Sequence, residues 1–488
     1  MPDYPGAEAT SDGASVLLAP PSDLPWTIEE APSLDEDTGA LPGDDPGTYD
    51  AIEGIDALAV RPWREAGIDG TGIKVAIFDS QFYQANLWDS ELGTYQTHDC
   101  QGERSCDLPI DTLNPDYSFE EGSHGVACAE VVHDIAPGAE LHLVRVNGGT
   151  TLENAAAWAE RNHIDLVSMS MSFFNSSFYD GSGTVSAIPG QMAAAGTLLV
   201  VSSGNYATEH WDGDFHDPDG DGDMDFPWGS DCLPMYYGAG DQSAVLSWDQ
   251  FSSCGDTDLD MYAYDADGNV IGRGEGNQPD GQNCSPVERL PLHVEKAGWY
   301  CTKIVRRAGD ANVHVAVFAR DGYIYDATPG SIVDPGSSDS AYTVGAVRAV
   351  GYIQNDAEGF SSLGPTQGGL AKPDIAGPDG LTTAVFGSQG FYGTSASTPA
   401  VMATLALIMQ KEGISSREAA NELAGNAVSE HRDWTAWDGA FGAGKARLWS
   451  VDPLRAGCST VNPPDSGWAI LPALLCLVVS RRLPRRRE

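Results

Sequence analysis

The stretch GTSASTPAVMATLALIMQ, residues 393–410, decides how this chain is interpreted. A Gly-Thr-Ser triplet leads into a long apolar run, which predicts a buried helix with Ser395 in its first turn. The unpaired N–H groups and the dipole at a helix N-terminus stabilise negative charge, so they favour an oxyanion beside the Ser395 hydroxyl. Pro399 falls close to the first turn, where its missing N–H costs least. The stretch predicts a nucleophilic serine, with a serine that only caps the helix as the alternative.

Three further segments each place one polar residue at the end of a predicted strand or at the start of a predicted helix. They are KVAIFD (residues 74–79), SHGVACAEVV (residues 123–132) and LVVSSGN (residues 199–205). The polar residues are Asp79, His124 and Asn205. A carboxylate can orient a histidine, a histidine can take a proton from a serine, and an amide can donate to an oxyanion. Each signal alone is weak, but their order and placement together predict one catalytic set with Ser395.

The apolar pattern divides the chain into two structural styles. Short apolar runs alternate with helical patterns on either side of the segment 238–327, which predicts an α/β fold with a parallel sheet. Within that segment, alternating strands and turn signals such as DADGN predict an antiparallel β-sandwich inserted into the catalytic domain. The predicted parts are an acidic disordered segment (1–48), a first catalytic part (49–228), the inserted sandwich (229–328), a second catalytic part (329–452), and a spacer with an apolar, Arg-rich tail (453–488).

These motifs, in this order, resemble those of the subtilases, the subtilisin-like serine proteases. The resemblance spans residues 50–228 and 330–450, and it implies an enzyme that hydrolyses peptide bonds. Ser395 would be the nucleophile, His124 the base and Asp79 the residue that orients the base. The Asn205 amide and the Ser395 N–H would form the oxyanion hole. The family's substrate-pairing strand corresponds to SMSMS, which comprises Ser168, Met169, Ser170, Met171 and Ser172.

The chain departs from the usual subtilase motifs at several positions. Gln81 stands where a glycine is usual after the acid, and Val126 stands where threonine is usual after the base. Phe173 and Phe174 replace the Gly-rich end of the substrate strand. No catalytic atom is lost, so the departures bear on substrate preference. The two phenylalanines either narrow the specificity pocket or pack in the core.

An acidic loop, DFHDPDGDGDMDF (residues 214–226), predicts a second site. Carboxylates alternate there with glycines, which is the arrangement that a hard, oxygen-seeking cation such as Ca²⁺ needs. The predicted ligands are Asp217, Asp219, Asp221, Asp223 and Asp225. A solvated acidic loop without a metal is the alternative. The sequence indicates no organic cofactor.

Charge and cysteine content bear on partners and location. With 71 acidic and 26 basic residues the formal net charge is −45, which argues against nucleic acid as a partner. The cysteine spacings do not fit zinc ligands, so they predict disulfides in an oxidising, extracellular or cell-surface location. Cys100 and Cys106 bracket a short loop, whereas four later cysteines allow three pairings. Among these we favour Cys232–Cys254 with Cys284–Cys301. Cys128 lies in an apolar run and predicts a buried free thiol.

Two segments carry weaker resemblances. The stretches at residues 258–270 and 295–307 resemble the pre-peptidase C-terminal type of domain. The C-terminus has Cys458, a Pro/Ser spacer, an apolar run at 468–479 and an Arg cluster, and it resembles a MYXO-CTERM sorting tail. That resemblance implies attachment to a membrane or cell surface, with a chance apolar patch as the alternative. The N-terminus lacks the features of a secretory signal.

The sequence therefore predicts a secreted or surface-attached serine endopeptidase that acts on proteins or peptides. A catalytically inactive relative that binds a partner is one alternative. A sedolisin-like acid peptidase is another, because Glu130 and Asp134 mimic the acidic pair of that family. The presence of His124 and Asn205 argues against the sedolisin interpretation.

Overall fold

The structure is a computed structural model. It describes two short strands near the N-terminus and residues 52–83, 85–101, 105–110, 122–174, 176–253, 255–278, 285–309, 312–429 and 438–451. Apart from those two strands, the segment 1–48 lies outside this description. The predictions for the segment 453–488 and for Cys254, Cys284 and Cys458 also concern residues outside it.

A parallel sheet forms the centre of the α/β part. Its strands are β3 (Lys74–Asp79), β4 (Tyr95–Asp99), β5 (Glu140–Arg145), β6 (Leu166–Met169), β7 (Leu198–Ser202), β17 (Tyr342–Arg348) and β18 (Ile375–Asp379). The order across the sheet is β18-β17-β7-β6-β3-β5-β4, and every pairing is parallel. The central strands β3, β6 and β7 are buried, which explains their mainly apolar sequences, whereas the edge strand β4 is polar and partly exposed. The predicted parallel α/β core is confirmed.

Helices cover this sheet. They are α1 (Ile52–Ala57), α2 (Arg61–Glu65), α3 (Asp89–Leu92), α4 (His124–Ile135), α5 (Gly149–Asn162), α6 (Gly183–Ala194), α7 (Thr394–Glu412) and α8 (Ser416–Gly425), with a 3₁₀ turn at Ala85–Trp88. Helix α7 packs against α4 and against strands β17 and β18. Apart from Ser395 it is buried from its first residue to Met409, as expected for a helix that is apolar on all sides. It ends at Gly413, whose φ of 65° suits a left-handed cap.

An antiparallel sheet of nine strands forms the second layer of structure. Its strands are β8 (His210–Asp214), β9 (Leu233–Tyr237), β10 (Gly240–Trp248), β11 (Asp258–Tyr264), β12 (Val270–Gly274), β13 (Val287–Val294), β14 (Gly298–Ala308), β15 (His314–Arg320) and β16 (Gly322–Ile324). Their order is β16-β9-β14-β11-β12-β13-β10-β15-β8. Smaller two-stranded units are β1 (Ala7–Ala9) with β2 (Ser15–Leu17), and β19 (Leu381–Thr383) with β20 (Gly387–Phe391).

The antiparallel unit differs from the predicted sandwich in two respects. It is one hydrogen-bonded sheet, because β12 and β13 are joined through the pair Gly272–Leu292. Strands on both sides of this junction bury apolar residues in one core, for example Met261 and Leu246. The sheet also includes β8, which the sequence analysis placed in the catalytic part 49–228. That strand pairs with β15, so the antiparallel unit begins before the acidic loop.

The disulfides confirm one prediction and correct another. Cys100 bonds to Cys106. Cys232 bonds to Cys301, so the favoured pairings Cys232–Cys254 and Cys284–Cys301 were wrong. The reason is strand order, since β14 lies beside β9 and Cys301 faces Pro234, two residues from Cys232. The predicted buried free thiol at Cys128 is confirmed.

Within the described part of the chain, no helix is both long and apolar enough to cross a membrane.

Candidate active site

The candidate catalytic residues meet at the carboxyl edge of the parallel sheet. Asp79 is the last residue of β3, and Asn205 follows β7 by three residues. Helix α4 begins at His124, and helix α7 begins one residue before Ser395. The carboxyl ends of parallel strands share one edge, so residues far apart in sequence converge there.

The histidine and the aspartate form a close pair. His124 Nδ1 lies 2.7 Å from Asp79 Oδ2, so Nδ1–H donates to the carboxylate and Nε2 is the nitrogen left to accept a proton. Asp79 is almost fully buried, whereas the His124 side chain is 25% exposed. The backbone N–H of Gln81, one of the departures from the family pattern, donates to Asp79 Oδ1 at 3.0 Å. The unusual residue at 81 therefore leaves the orienting carboxylate in place.

Gly125 allows helix α4 to approach the aspartate. A Cβ at this position would lie 2.8 Å from the Asp79 Cβ and 2.6 Å from the Phe82 ring. Any larger residue would push the helix, and His124 with it, away from the end of β3. On its other side the His124 ring contacts Phe391 edge-to-face, with ring centroids 5.5 Å apart. The imidazole is thus held by a hydrogen bond and by an aromatic contact.

Ser395 is partly exposed, and its backbone lies beside Cys128. Its carbonyl oxygen accepts a hydrogen bond from Ser170 Oγ at 3.2 Å and lies 3.7 Å from the Cys128 sulfur. The Cys128 sulfur, a His124 ring nitrogen and an Asp79 carboxylate oxygen all lie within 4.8 Å of one another. The Asp79–His124 pair and the backbone of Ser395 therefore both lie beside Cys128.

Asn205 is oriented by Thr394, a contact that the sequence analysis missed. Asn205 Oδ1 accepts from the Thr394 backbone N–H at 3.0 Å and from its hydroxyl at 2.9 Å. The donor end, Nδ2, lies 3.0 Å from the place that a Cβ would occupy on Gly393. An amide held by its oxygen presents its N–H₂ group, which is the requirement for an oxyanion donor. The threonine of the Gly-Thr-Ser triplet was the sequence feature from which this contact could have been predicted.

The predicted substrate strand divides into two parts. Ser168 and Met169 are buried in β6 between β3 and β7, so they do not contact a substrate, and their assignment as binding residues was wrong. The alternation of side chains along a strand does not show at which residue the strand stops pairing with its neighbours, so the sequence could not separate these two residues from the three that follow. Ser170, Met171 and Ser172 follow the end of β6 and are partly exposed. These three residues remain candidates for pairing with a peptide backbone.

Phe174 packs against strand β15 of the antiparallel sheet. Its ring contacts Tyr206 and Phe318 edge-to-face, at centroid distances of 5.0 and 5.1 Å, and the Arg320 guanidinium lies 5.4 Å from its centroid. Phe318 and Arg320 belong to β15 of the antiparallel sheet. Of the two roles left open by the sequence, core packing accounts for the contacts of Phe174.

Cys128 does not compete with Ser395 as a nucleophile. Burial raises the pKa of its thiol well above the ordinary value, and the nearby Asp79 charge raises it further. The reactive form of a cysteine is the thiolate, so a thiol with a raised pKa is inert at neutral pH.

The acidic loop brings together only part of the predicted metal set. Carboxylate oxygens of Asp217, Asp219 and Asp221 lie within 4.8 Å of one another, so they fit an oxygen-seeking cation. Asp223 instead pairs with Lys303 at 3.0 Å. Asp217 also pairs with Arg306 at 3.1 Å, which would compete with a metal. Burial and the neighbouring carboxylates raise the pKa of Asp225.

The chain was also compared with models of known protein families. Residues 70–225 and 272–444, more than half of the chain, match the model of the subtilase family. The chain belongs to the subtilase family. The Clostridium perfringens CspB protease has a similar structure, with a TM-score of 0.55 and 13% identity over 82% of this chain and 98% of that protein. At this identity the similarity is one of fold.

A further solved structure similar to this subtilase is the nisin leader peptidase NisP from Lactococcus lactis. It has a TM-score of 0.41 and 16% identity over 86% of this chain and 96% of that protein. A search of curated protein sequences found no match. The predicted subtilisin-like α/β fold with an additional antiparallel unit is confirmed.

Proposed function

We propose that this subtilase is a serine endopeptidase that hydrolyses peptide bonds through an acyl-enzyme on Ser395. The observation that carries the proposal is the 2.7 Å contact between His124 and buried Asp79. It is supported by the position of Ser395 in the first turn of helix α7. An acid, a base and a serine hydroxyl are the three groups that such acyl transfer needs, and here the acid is buried while the base and the serine are partly exposed.

The reaction would proceed in two halves. His124 Nε2 takes the proton of Ser395 Oγ, and the oxygen attacks the scissile carbonyl carbon. The carbonyl oxygen becomes an oxyanion that accepts from Asn205 Nδ2 and from the Ser395 N–H. His124 then gives the proton to the leaving amine, and the Ser395 ester remains. Water attacks the ester with His124 again as base, which releases the acid and restores Ser395.

The substrate would be a protein or peptide whose backbone lies along residues 170–172. Their position at the end of β6, with Ser170 bonded to the Ser395 carbonyl, supports this placement. We also propose Ca²⁺ at Asp217, Asp219 and Asp221, on the evidence of their converging oxygens. Neither step of the reaction calls on an organic cofactor.

The proposed location is outside the cell or at its surface. Two disulfides, Cys100–Cys106 and Cys232–Cys301, are typical of an oxidising compartment. Attachment through the C-terminal tail follows from the resemblance of that tail to a sorting signal. The strong negative charge supports the expectation that nucleic acid is not a partner.

The sedolisin-like alternative would use Glu130 as its base. Glu130 is buried in α4 and accepts a hydrogen bond from the Ala384 N–H, so it lacks access to a substrate. A rate that falls below neutral pH as His124 becomes protonated supports the subtilase mechanism, and an optimum near pH 4 would support the alternative.

Hydrolysis of unfolded casein by the wild type, Ser395→Ala and His124→Ala tests the proposed function. Ser415→Ala is a matched control, because Ser415 caps helix α8 through the Glu418 N–H and takes no part in the site. We expect loss of hydrolysis in the first two variants and retention in the third. A folded wild type with no hydrolysis and no reaction with serine probes would favour the inactive binding protein.

A further inference from the structure

A buried carboxyl group holds the backbone just before the catalytic serine. Asp379 is the last residue of β18, and its side chain has no exposed surface. Its Oδ2 accepts a hydrogen bond from the Gly393 N–H at 3.1 Å. Gly393 is the N-cap of helix α7 and stands two residues before Ser395. The hydrogen bond therefore ties the end of a core strand to the start of the nucleophile helix.

Gly393 also contacts the proposed oxyanion donor. Its φ of 101° is one that L side chains rarely adopt, and a Cβ there would meet Asn205 Nδ2 at 3.0 Å. The next residue, Thr394, supplies both donors to Asn205 Oδ1. Any displacement of Gly393 would therefore move the Asn205 amide and the Ser395 N–H, the two proposed oxyanion donors.

The surroundings of Asp379 favour a proton on this group. Burial, and after it the negative charge of Glu358, raise the pKa of Asp379 to about 8. The side chains of Asp379 and Glu358 are hydrogen-bonded to each other. Burial also raises the pKa of Glu358, which lies in the segment after β17. The charged or titratable groups that face the pair are Arg348, which lowers both values, and Tyr352. Asp379 Oδ1 receives no N–H donor from the described residues.

We propose that Asp379 and Glu358 share one proton and act as a positioning pair for the nucleophile turn of the enzyme. This inference rests on the proposed peptidase function. While the pair holds its proton, the two carboxyls attract each other and Asp379 keeps Gly393 in place. When both are ionised, two partly or fully buried negative charges repel, the anchor of Gly393 shifts, and the oxyanion donors lose their alignment.

The pair also predicts how stability depends on pH. A buried acid whose pKa is raised on folding contributes stability that is complete at low pH and is lost as pH rises through the folded pKa. For Asp379 this window extends from about pH 4 to about pH 8. An asparagine at this position keeps the acceptor for Gly393 but does not ionise. The melting temperature of Asp379→Asn should therefore rise relative to wild type as pH increases across this window.

The test is the rate of fluorophosphonate labelling between about pH 6 and 10, together with thermal melting, since labelling needs no known substrate. The variants are Asp379→Asn and Glu358→Gln, which remove the repulsion from either side. Glu130→Gln is the control, because Glu130 is a second buried acid whose pKa is raised to about 9, but it bonds to Ala384 rather than Gly393.

For the wild type we expect labelling to rise as His124 loses its proton and then to fall at least tenfold, roughly, between pH 8 and 10. Both pair variants should keep their plateau rate to within about twofold over that range, and Glu130→Gln should follow the wild type. If Asp379→Asn fails to fold, Glu358→Gln alone tests whether the alkaline fall in labelling disappears when the repulsion is removed. An alkaline fall that is equal in all four proteins overturns the positioning pair. A folded wild type that is not labelled at any pH contradicts the proposed function itself, and the positioning role falls with it.

Discussion

The side-chain oxygen of Asn205 accepts two hydrogen bonds from Thr394, one from the backbone and one from the hydroxyl. This contact joins the end of β7 to the first turn of α7, across 189 residues of sequence. It fixes the orientation of the amide that we propose as an oxyanion donor. The proposed oxyanion hole therefore depends on the Gly-Thr-Ser triplet as much as on Asn205.

Thr394→Val removes the hydroxyl donor and keeps the shape of the side chain and the backbone N–H. We expect kcat to fall by about tenfold with little change in KM. A less firmly held amide stabilises the oxyanion of the transition state less well, but it hardly affects the binding of the substrate. Asn205→Ala, which removes the donor itself, should lower kcat by about 10²–10³. Steady-state kinetics on one peptide substrate checks both values. Equal kcat in Thr394→Val and wild type would show that the hydroxyl does not orient the amide.

Phe174→Ala opens a cavity next to β15. Because the ring is only 8% exposed, we expect unfolding free energy to fall by about 3–5 kcal/mol. Leu87→Ala is the control, since Leu87 is 60% exposed and should change stability by less than about 0.5 kcal/mol. Denaturant unfolding measures both. If the free energy of unfolding fell no more in Phe174→Ala than in Leu87→Ala, the packing of Phe174 would not stabilise the fold.

Cys128 should resist alkylation in the folded enzyme. The thiol is buried and its pKa is raised, so neither access nor the thiolate is available at pH 8. Mass spectrometry after iodoacetamide treatment should find Cys128 unmodified in native protein and modified after unfolding. Rapid modification of the native protein would contradict the buried position next to Ser395.

Calcium should stabilise the enzyme through the acidic loop. If Ca²⁺ binds Asp217, Asp219 and Asp221, an excess of about 100 times Kd adds about 2.7 kcal/mol of stability, and EDTA removes it. Asp219→Asn should abolish this response. Asp267→Asn, in the exposed turn after β11, is the matched control and should retain it. Melting temperatures that EDTA leaves unchanged would identify the loop as a solvated acidic surface.

The sequence predicted the candidate catalytic residues because each stands at the end of a strand or the start of a helix, where a local pattern is visible. Asp79, His124 and Ser395 were predicted in this way, and the structure brings Asp79 and His124 into contact. The partners of these residues depend on tertiary contacts that no local pattern records, and Thr394 and Asp379 were missed for that reason. The Cys232–Cys301 bond likewise depends on β14 lying beside β9. Strand pairing over that distance could not be deduced from spacing.

The central claim of the proposed function is that neighbouring residues activate Ser395 as a nucleophile, and the direct test is covalent labelling of Ser395. The wild type is treated with a fluorophosphonate probe at pH 8 and digested, and the adduct is mapped by mass spectrometry, alongside Ser395→Ala, His124→Ala and the helix-cap control Ser415→Ala. The account predicts an adduct on Ser395 in the wild type and in Ser415→Ala, with none on residue 395 in the other two. An adduct on another serine, or none on a folded wild type, would contradict it.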